Sequence, residues 1–206
     1  MGRAALTSSE MLWILCVVVA YLVGTIPSAQ IIARRGGHDP TAEGSGNPGA
    51  SNVLRVAGAR AGAVVFLVDI AKGALPTALG LVVGGRGLAA LCWAAATIGH
   101  IAPITRRFRG GKGVATGGGG ALVLFPVIGL ACFVVFAVSV GVLKLPSVGS
   151  LAMVATLMVG VVVAGRPGWE IAVTVTLCAI VTLRHRNNIS RLVSRSENRF
   201  DSGDVR

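Results

Sequence analysis

Six stretches of this sequence, residues 11–32, 61–83, 87–104, 114–142, 147–164 and 171–183, run almost without charge. A helix that crosses a bilayer needs roughly 20 predominantly apolar residues, and several of these stretches reach that length. Only 13% of the 206 residues are charged and 53% are hydrophobic. Soluble domains carry about 25% charged residues, so the sequence lacks half of the usual solvated surface. It reads as one all-α, membrane-embedded domain over residues 1–206, a polytopic helix bundle. The first stretch runs past a secretory h-region and closes on no small-residue cleavage site, so it is expected to be a retained helix. Cys16, Cys92, Cys132 and Cys178 each fall in an apolar stretch with no CxxC or Cys/His spacing, which suggests neither a zinc site nor a disulfide framework.

The formal net charge is +11. Nucleic acid is a poor explanation, because aromatics are 5% of the chain and lie mostly in the apolar stretches, not among the cations. The positive-inside rule explains the charge better. Arg34, Arg35, Arg55 and Arg60 fall in one loop, and Arg106, Arg107, Arg109 and Lys112 in a second. Arg184, Arg186, Arg191, Arg195, Arg199 and Arg206 fall in the tail. Segments at about 34–60, 105–113 and 184–206 are therefore expected in the cytoplasm, with the N-terminus outside. That arrangement needs an odd number of crossings. Residues 114–142 are too long for one helix and are interrupted by Pro126; splitting them there gives seven transmembrane helices. Lys144 then lies inside, and Arg86 and Arg166 outside. Five crossings with re-entrant segments satisfy the same parity.

The chemistry-bearing residues cluster in those three basic segments. The first holds Gly44-Ser45-Gly46-Asn47-Pro48-Gly49-Ala50-Ser51-Asn52-Val53-Leu54-Arg55. Such a run turns tightly and offers N–H groups and hydroxyls to an anion; the bland alternative is a flexible linker. The second holds Gly99-His100, Pro103 and then Gly110-Gly111-Lys112-Gly113 at a helix start. Free N–H groups, the positive end of the helix dipole and an ammonium converge there on what reads as a phosphate cradle. It is not a nucleotide-triphosphate loop. Arg106 stands where that motif needs Gly, and Gly113 follows Lys112 where Ser or Thr would hold magnesium. The third holds His185 between Arg184 and Arg186, followed by Asn187, Asn188 and, further on, Glu197. Two close arginines favour neutral His185; a lone His at a membrane edge can equally be structural. Asp69 and Lys72, three apart in an apolar stretch, share a helical face and are each other's natural partner, as a functional pair or as a self-neutralising packing pair.

Taken in order, these segments resemble the bacterial acyl-phosphate-dependent glycerol-3-phosphate acyltransferases. The resemblance starts at Tyr21-Leu22-Val23-Gly24-Thr25-Ile26-Pro27 and continues through Ser45-Gly46-Asn47 to Arg55 and Asp69-Ile70-Ala71-Lys72-Gly73. Gly99-His100 with Pro103, Gly110 to Thr116, and His185-Arg186 with Asn188 complete it. It implies seven helices in a bacterial cell membrane, with the active site on the cytoplasmic side. It also implies transfer of a fatty acyl group from acyl phosphate to the sn-1 hydroxyl of glycerol 3-phosphate, giving lysophosphatidic acid and phosphate for phospholipid synthesis. The resemblance makes Ser45, Arg55, Lys112, His185 and Asn188 the catalytic set. Gly110, Gly111, Lys112, Gly113 and Arg55 would bind substrate phosphate, and Asn47, Asn52, Asp69, Lys72, His100 and Glu197 would support them. It implies no metal and no cofactor. Its implied partners are the two substrates, membrane lipid and, functionally, the phosphate acyltransferase that makes acyl phosphate. Asn187 departs from a frequent Glu, and Arg195 from a common Gly. An organic-phosphate transporter would use similar cradles, but no inverted repeat is visible. Acyl-CoA acyltransferases often carry a His-x4-Asp dyad, whereas the residues five after His38, His100 and His185 are Glu43, Thr105 and Ser190.

Overall fold

The computed structural model describes residues 7–200, and all regular structure among them is helical. The helices are α1 (Ser8–Gly24), α2 (Ser28–Arg34), α3 (Ala50–Ile101), α4 (Val114–Leu124), α5 (Pro126–Leu143), α6 (Pro146–Val163), α7 (Gly168–Arg184) and α8 (Arg186–Val193). A 3-10 turn covers Ile104–Arg106. α3 is one helix in hydrogen bonding only. Its backbone leaves helical geometry at Gly58 (φ 85°) and at Gly84 and Gly85 (φ 67° at Gly85), a region that glycine enters without a Cβ penalty. The chain reverses at both points, so that Gly62 packs on Leu54 and Gly80 on Leu88 and Ala89. Segments 59–83 and 86–101 are therefore separate passes. Together with α1, α4, α5, α6 and α7 they make the seven passes expected from parity, including the division at Pro126.

The structure differs from the sequence reading at two places. The apolar stretch 11–32 is not one helix: α1 stops at Gly24, and the short α2 follows Pro27, whose ring removes a backbone donor and disfavours helix in the residue before it. The tail, for which no element was assigned from sequence, carries the helix α8, which turns away from α7 at His185.

The passes alternate in direction between two ends. At one end Arg86 and Arg166 both donate to the buried carboxylate of Glu170, and Arg86 also donates to the Leu124 carbonyl at 3.1 Å. Both guanidinium groups lie over the Phe125 ring. At the other end lie α2, the loop before α3, the 3-10 turn and α8. Lys144 is there too, its carbonyl accepting the Phe200 N–H at 2.8 Å. Arg86 and Arg166 are thus separated from Lys144 as the charge distribution required.

Residues 8–34, 50–106, 126–143 and 146–163 are each long and apolar enough to cross a membrane. The bundle turns its apolar side chains outward. On α5, Leu130, Val134, Val138 and Val142 recur every fourth residue and are all exposed, which is the face a helix offers to lipid. The interior instead holds Asn52, Asp69, Lys72, Thr97, His100 and His185. Small residues let the helices meet backbone to backbone: a Cβ on Gly119 would run into the Ile70 carbonyl, and one on Gly73 into the Thr116 carbonyl. α4 has 11 residues, about 16 Å at 1.5 Å per residue. Because it is short, it starts deep in the bundle, with Gly113 just before it lying against Thr97 and Ile101. The loop bearing Lys112 consequently dips into the mouth of the bundle.

Candidate active site

Asn52, buried near the start of α3, builds the first wall. Its Oδ1 accepts the Ser45 N–H at 2.8 Å, and its Nδ2 donates to the carbonyls of Pro40 (2.9 Å) and Glu43 (3.0 Å). A Cβ on Gly44, at φ +59°, would strike that same Oδ1. The Gly/Ser/Asn run is therefore a locked loop, not a linker, and it holds Ser45 and Asn47 at a fixed place beside Arg55. The Arg55 guanidinium donates to the Asn198 carbonyl at 3.2 Å and lies 5.1 Å from the centre of the Phe200 ring. The tail thus forms a strap over this wall.

The glycine-rich loop differs from the cradle drawn from sequence. Gly110 and Gly111 pack directly on His100: a Cβ on the first would meet the His100 carbonyl, and one on the second His100 Nε2. The Gly111 N–H is already donated to that carbonyl at 3.1 Å. Gly113 (φ 86°) turns the chain into α4. The cavity is lined by Lys112, Gly113, Val114 and Ala115, so the helix start, where N–H groups lack intrahelical partners, lies one to two residues later than the glycines suggested. Burial pushes the Lys112 ammonium down to about 8, partly offset by the carboxylate of Glu197.

His185 caps α7 and is 1% exposed. Its Nδ1 lies 2.8 Å from the Val181 carbonyl. A carbonyl can only accept, so Nδ1 carries the proton and Nε2 is an acceptor in the neutral ring. Burial, with Lys112 and Arg184 nearby, holds the ring pKa down at about 4. Asn188, one turn into α8, donates from Nδ2 to Glu197 Oε1 at 2.7 Å, and Arg191 donates to Oε2 at 2.9 Å. Glu197 thereby fixes which end of the Asn188 amide remains available, and that end is the acceptor oxygen.

Ser45, Asn47, Asn52, Arg55, Lys112, Gly113, His185, Asn188 and Glu197 all border one cavity of about 90 Å³. Asp69 and His100 reach its floor, backed by a buried network. Lys72 Nζ lies 2.7 Å from Asp69 Oδ1, 2.9 Å from the Ile26 carbonyl and 3.3 Å from His100 Nδ1, and Ser28 Oγ donates to Asp69 at 2.5 Å. Gly110 lies outside this cavity, bordering a groove next to it. Sequence reading missed Ser147 and Ser150, which also border the cavity from the first turn of α6. The Ser147 hydroxyl is buried without a hydrogen-bond partner. Their signal was available as two serines three apart just after Pro146, at the start of an apolar stretch.

The geometry meets known proteins at this point. The model of a family described as glycerol-3-phosphate acyltransferase matches residues 14–195. This chain belongs to the glycerol-3-phosphate acyltransferase family. Glycerol-3-phosphate acyltransferase of Syntrophotalea carbinolica is 41% identical over 187 residues, which cover 89% of this chain and 95% of that one. The enzyme of the same name from Roseiflexus sp. is also 41% identical, over 191 residues, covering 90% and 94%. The crystal structure of PlsY, an integral membrane glycerol 3-phosphate acyltransferase, in its glycerol 3-phosphate form superposes with a TM-score of 0.89 at 32% identity, covering 94% of this chain and 98% of that one. Its lysophosphatidic acid form gives a TM-score of 0.85. The family match extends over nearly all of the chain and takes in most of the residues that border the cavity; Glu197, two residues past its end, lies outside it.

Proposed function

We propose that this protein transfers an acyl group from acyl phosphate to the sn-1 hydroxyl of glycerol 3-phosphate, at a site on the cytoplasmic face of a bacterial cell membrane. The observation that carries the reading is the convergence of Ser45, Arg55, Lys112, His185 and Asn188, from three separate segments, on one cavity that also adjoins an apolar crevice. The crevice, about 30 Å³, shares Gly113 and Val114 with the cavity and continues between α4, α6 and α7 along Leu157, Leu177 and Val181. An acyl chain would lie there with its carbonyl at the cavity.

Acyl phosphate is a mixed anhydride, so its carbonyl is already activated. The glycerol oxygen attacks the carbonyl carbon, the bond from that carbon to the phosphate oxygen breaks, and inorganic phosphate leaves. No carboxylate in the cavity is free to act as base: Asp69 is paired with Lys72 and Ser28, and Glu197 with Asn188 and Arg191. The hydroxyl proton goes to a substrate phosphate oxygen. Lys112, Arg55 and the free N–H groups at the start of α4 hold phosphate and offset its charge. His185 Nε2 and the Asn188 oxygen accept hydrogen bonds from the glycerol hydroxyls, and Ser45 and Ser147 add donors. His185 at a pKa near 4 is too weak a base for proton abstraction at neutral pH, and its role is orientation. The reaction draws on no metal and no cofactor. An enzyme that makes acyl phosphate would supply the donor.

The test is donor choice. With purified protein and glycerol 3-phosphate, acyl phosphate is expected to support turnover without added magnesium and in the presence of chelator, and acyl-CoA is not. Robust acyl-CoA turnover, or loss of acyl phosphate turnover with chelator, overturns the reading.

A further inference from the structure

A second and larger space, about 610 Å³, lies outside the catalytic cavity and meets it along Ser45, Asn47, Lys112 and Asn188. Its outer wall consists of arginines: Arg106 and Arg109 from the segment before the glycine-rich loop, and Arg184, Arg186 and Arg191 from the α7–α8 corner. Among the described residues no carboxylate borders it, and of these five arginines Arg191 alone has an acidic partner there, Glu197.

Two of the side chains that form this wall, Arg106 and Arg184, are held in place. Arg106 donates one Nη to Gln30 Oε1 at 3.0 Å, and Arg184 donates one Nη to the Gly110 carbonyl at 3.1 Å. In both, the Nε is buried with no hydrogen-bond partner among the described residues. A need for positive charge on one side of a membrane accounts for arginines in loops, but such arginines point into water. It does not account for two guanidinium groups that are anchored, partly buried and short of a partner. Clustered guanidinium groups with no carboxylate among them also repel one another. An anion seated in the groove would accept from the guanidinium N–H groups that reach it and neutralise the wall.

We infer that this groove is a second phosphate-binding site, beside the cavity around Arg55 and sharing Lys112 with it, which holds a phosphate dianion next to the reacting centre. The inference rests on the proposed reaction only for the identity of its anion, which is glycerol 3-phosphate entering or inorganic phosphate leaving. Arginine suits either, since its fork accepts phosphate oxygens in pairs. A site at the mouth would raise the local concentration of the anionic acceptor and give the leaving phosphate a place to move to before the next turnover.

The experiment is calorimetric titration of the purified full chain in detergent at physiological ionic strength, with no acyl donor present, so that its outcome is independent of donor identity. Inorganic phosphate is expected to bind at two sites per chain. Arg106→Gln combined with Arg186→Gln should weaken one of them by about tenfold or more, and Arg55→Gln, at a residue that borders only the cavity, should weaken the other. Arg109→Gln combined with Arg186→Gln, both on exposed side chains, serves if the first pair fails to fold. Titration with glycerol 3-phosphate then identifies the source. Two molecules bound per chain, one lost in the arginine variant, marks an entry site; one bound, unaffected by the arginine variant, marks an exit site. A single inorganic phosphate per wild-type chain, or two that persist in a folded arginine variant, overturns the inference.

Discussion

Asn52→Ala tests whether the Gly/Ser/Asn loop is held or merely tethered. The side chain is 1% exposed and makes three hydrogen bonds, accepting from Ser45 N–H and donating to two carbonyls. At about 0.5–1.5 kcal/mol each, their loss lowers the free energy that keeps the loop closed by about 1.5–4.5 kcal/mol. A change of about 3 kcal/mol raises the open population roughly 150-fold, since 1.4 kcal/mol is a factor of ten. The effect is local, because residues 36–49 cross no helix and can open while the seven passes stay packed. Hydrogen exchange should therefore accelerate at the Ser45 amide while amides in α6 and α7 are unchanged. A protease that cuts only the open loop should nick it faster in proportion. Asn52→Asp should be nearly as damaging: its oxygens can still accept from Ser45, but two carbonyls then face an acceptor and lose their donor. Acyl transfer should fall with the loop, because Ser45 is carried on it. If Asn52→Ala leaves Ser45 exchange and loop cleavage unchanged, the three bonds do not fix the loop and the account of this wall is wrong.

Lys112, with its ammonium pushed down to about 8, should give kcat/KM for glycerol 3-phosphate an alkaline limb near pH 8. The charged form that holds phosphate is present below that pH and lost above it, and kcat/KM reports the free enzyme. Lys112→Ala should weaken glycerol 3-phosphate binding roughly ten- to hundredfold and abolish the limb; a limb that persists assigns it to another group. Glu170→Gln should destabilise the folded chain by about 1.5–3 kcal/mol, the arginines being only one-third exposed, with little change in KM, checked by thermal unfolding beside kinetics. Single cysteines near Ser45, near Lys112 and beyond Asn188, in a background without the four native ones, should all be shielded from impermeant thiol reagents in intact cells. Labelling of any one from outside would break the shared site.

What the sequence disclosed followed from the strength of each constraint. Uncharged length is a demand of the bilayer, so the passes were readable, and Pro126 divided a stretch too long for one of them. Gly84 and Gly85 were legible only as loop residues between two stretches, because their backbone reversal leaves hydrogen bonding continuous. The site residues that are charged or glycine-flanked were readable for the same reason that they are costly near lipid. His100 illustrates the limit. Its place beneath Gly111 depends on two loops approaching each other, and nothing in the spacing from 100 to 111 reports that. Ser147 was missed because serine in an apolar stretch has many uses, and only the direction α6 faces distinguishes this one. α8 was missed because eight mostly polar residues carry little helical signal until Glu197 fastens them.

The end that carries Arg86 and Glu170 is built with very little connecting chain. Its three turns are residues 84–85, residue 125 and residues 164–167, while every longer connection gathers at the opposite end. Among the described residues, an antibody or a protease would find scarcely any backbone in these turns to grip, and an insertion into one of them would have to break a hairpin or the arginine clamp. The room for variation is therefore one-sided. Change at the loop-rich end alters what the molecule does, and change at the other end alters only whether it holds together.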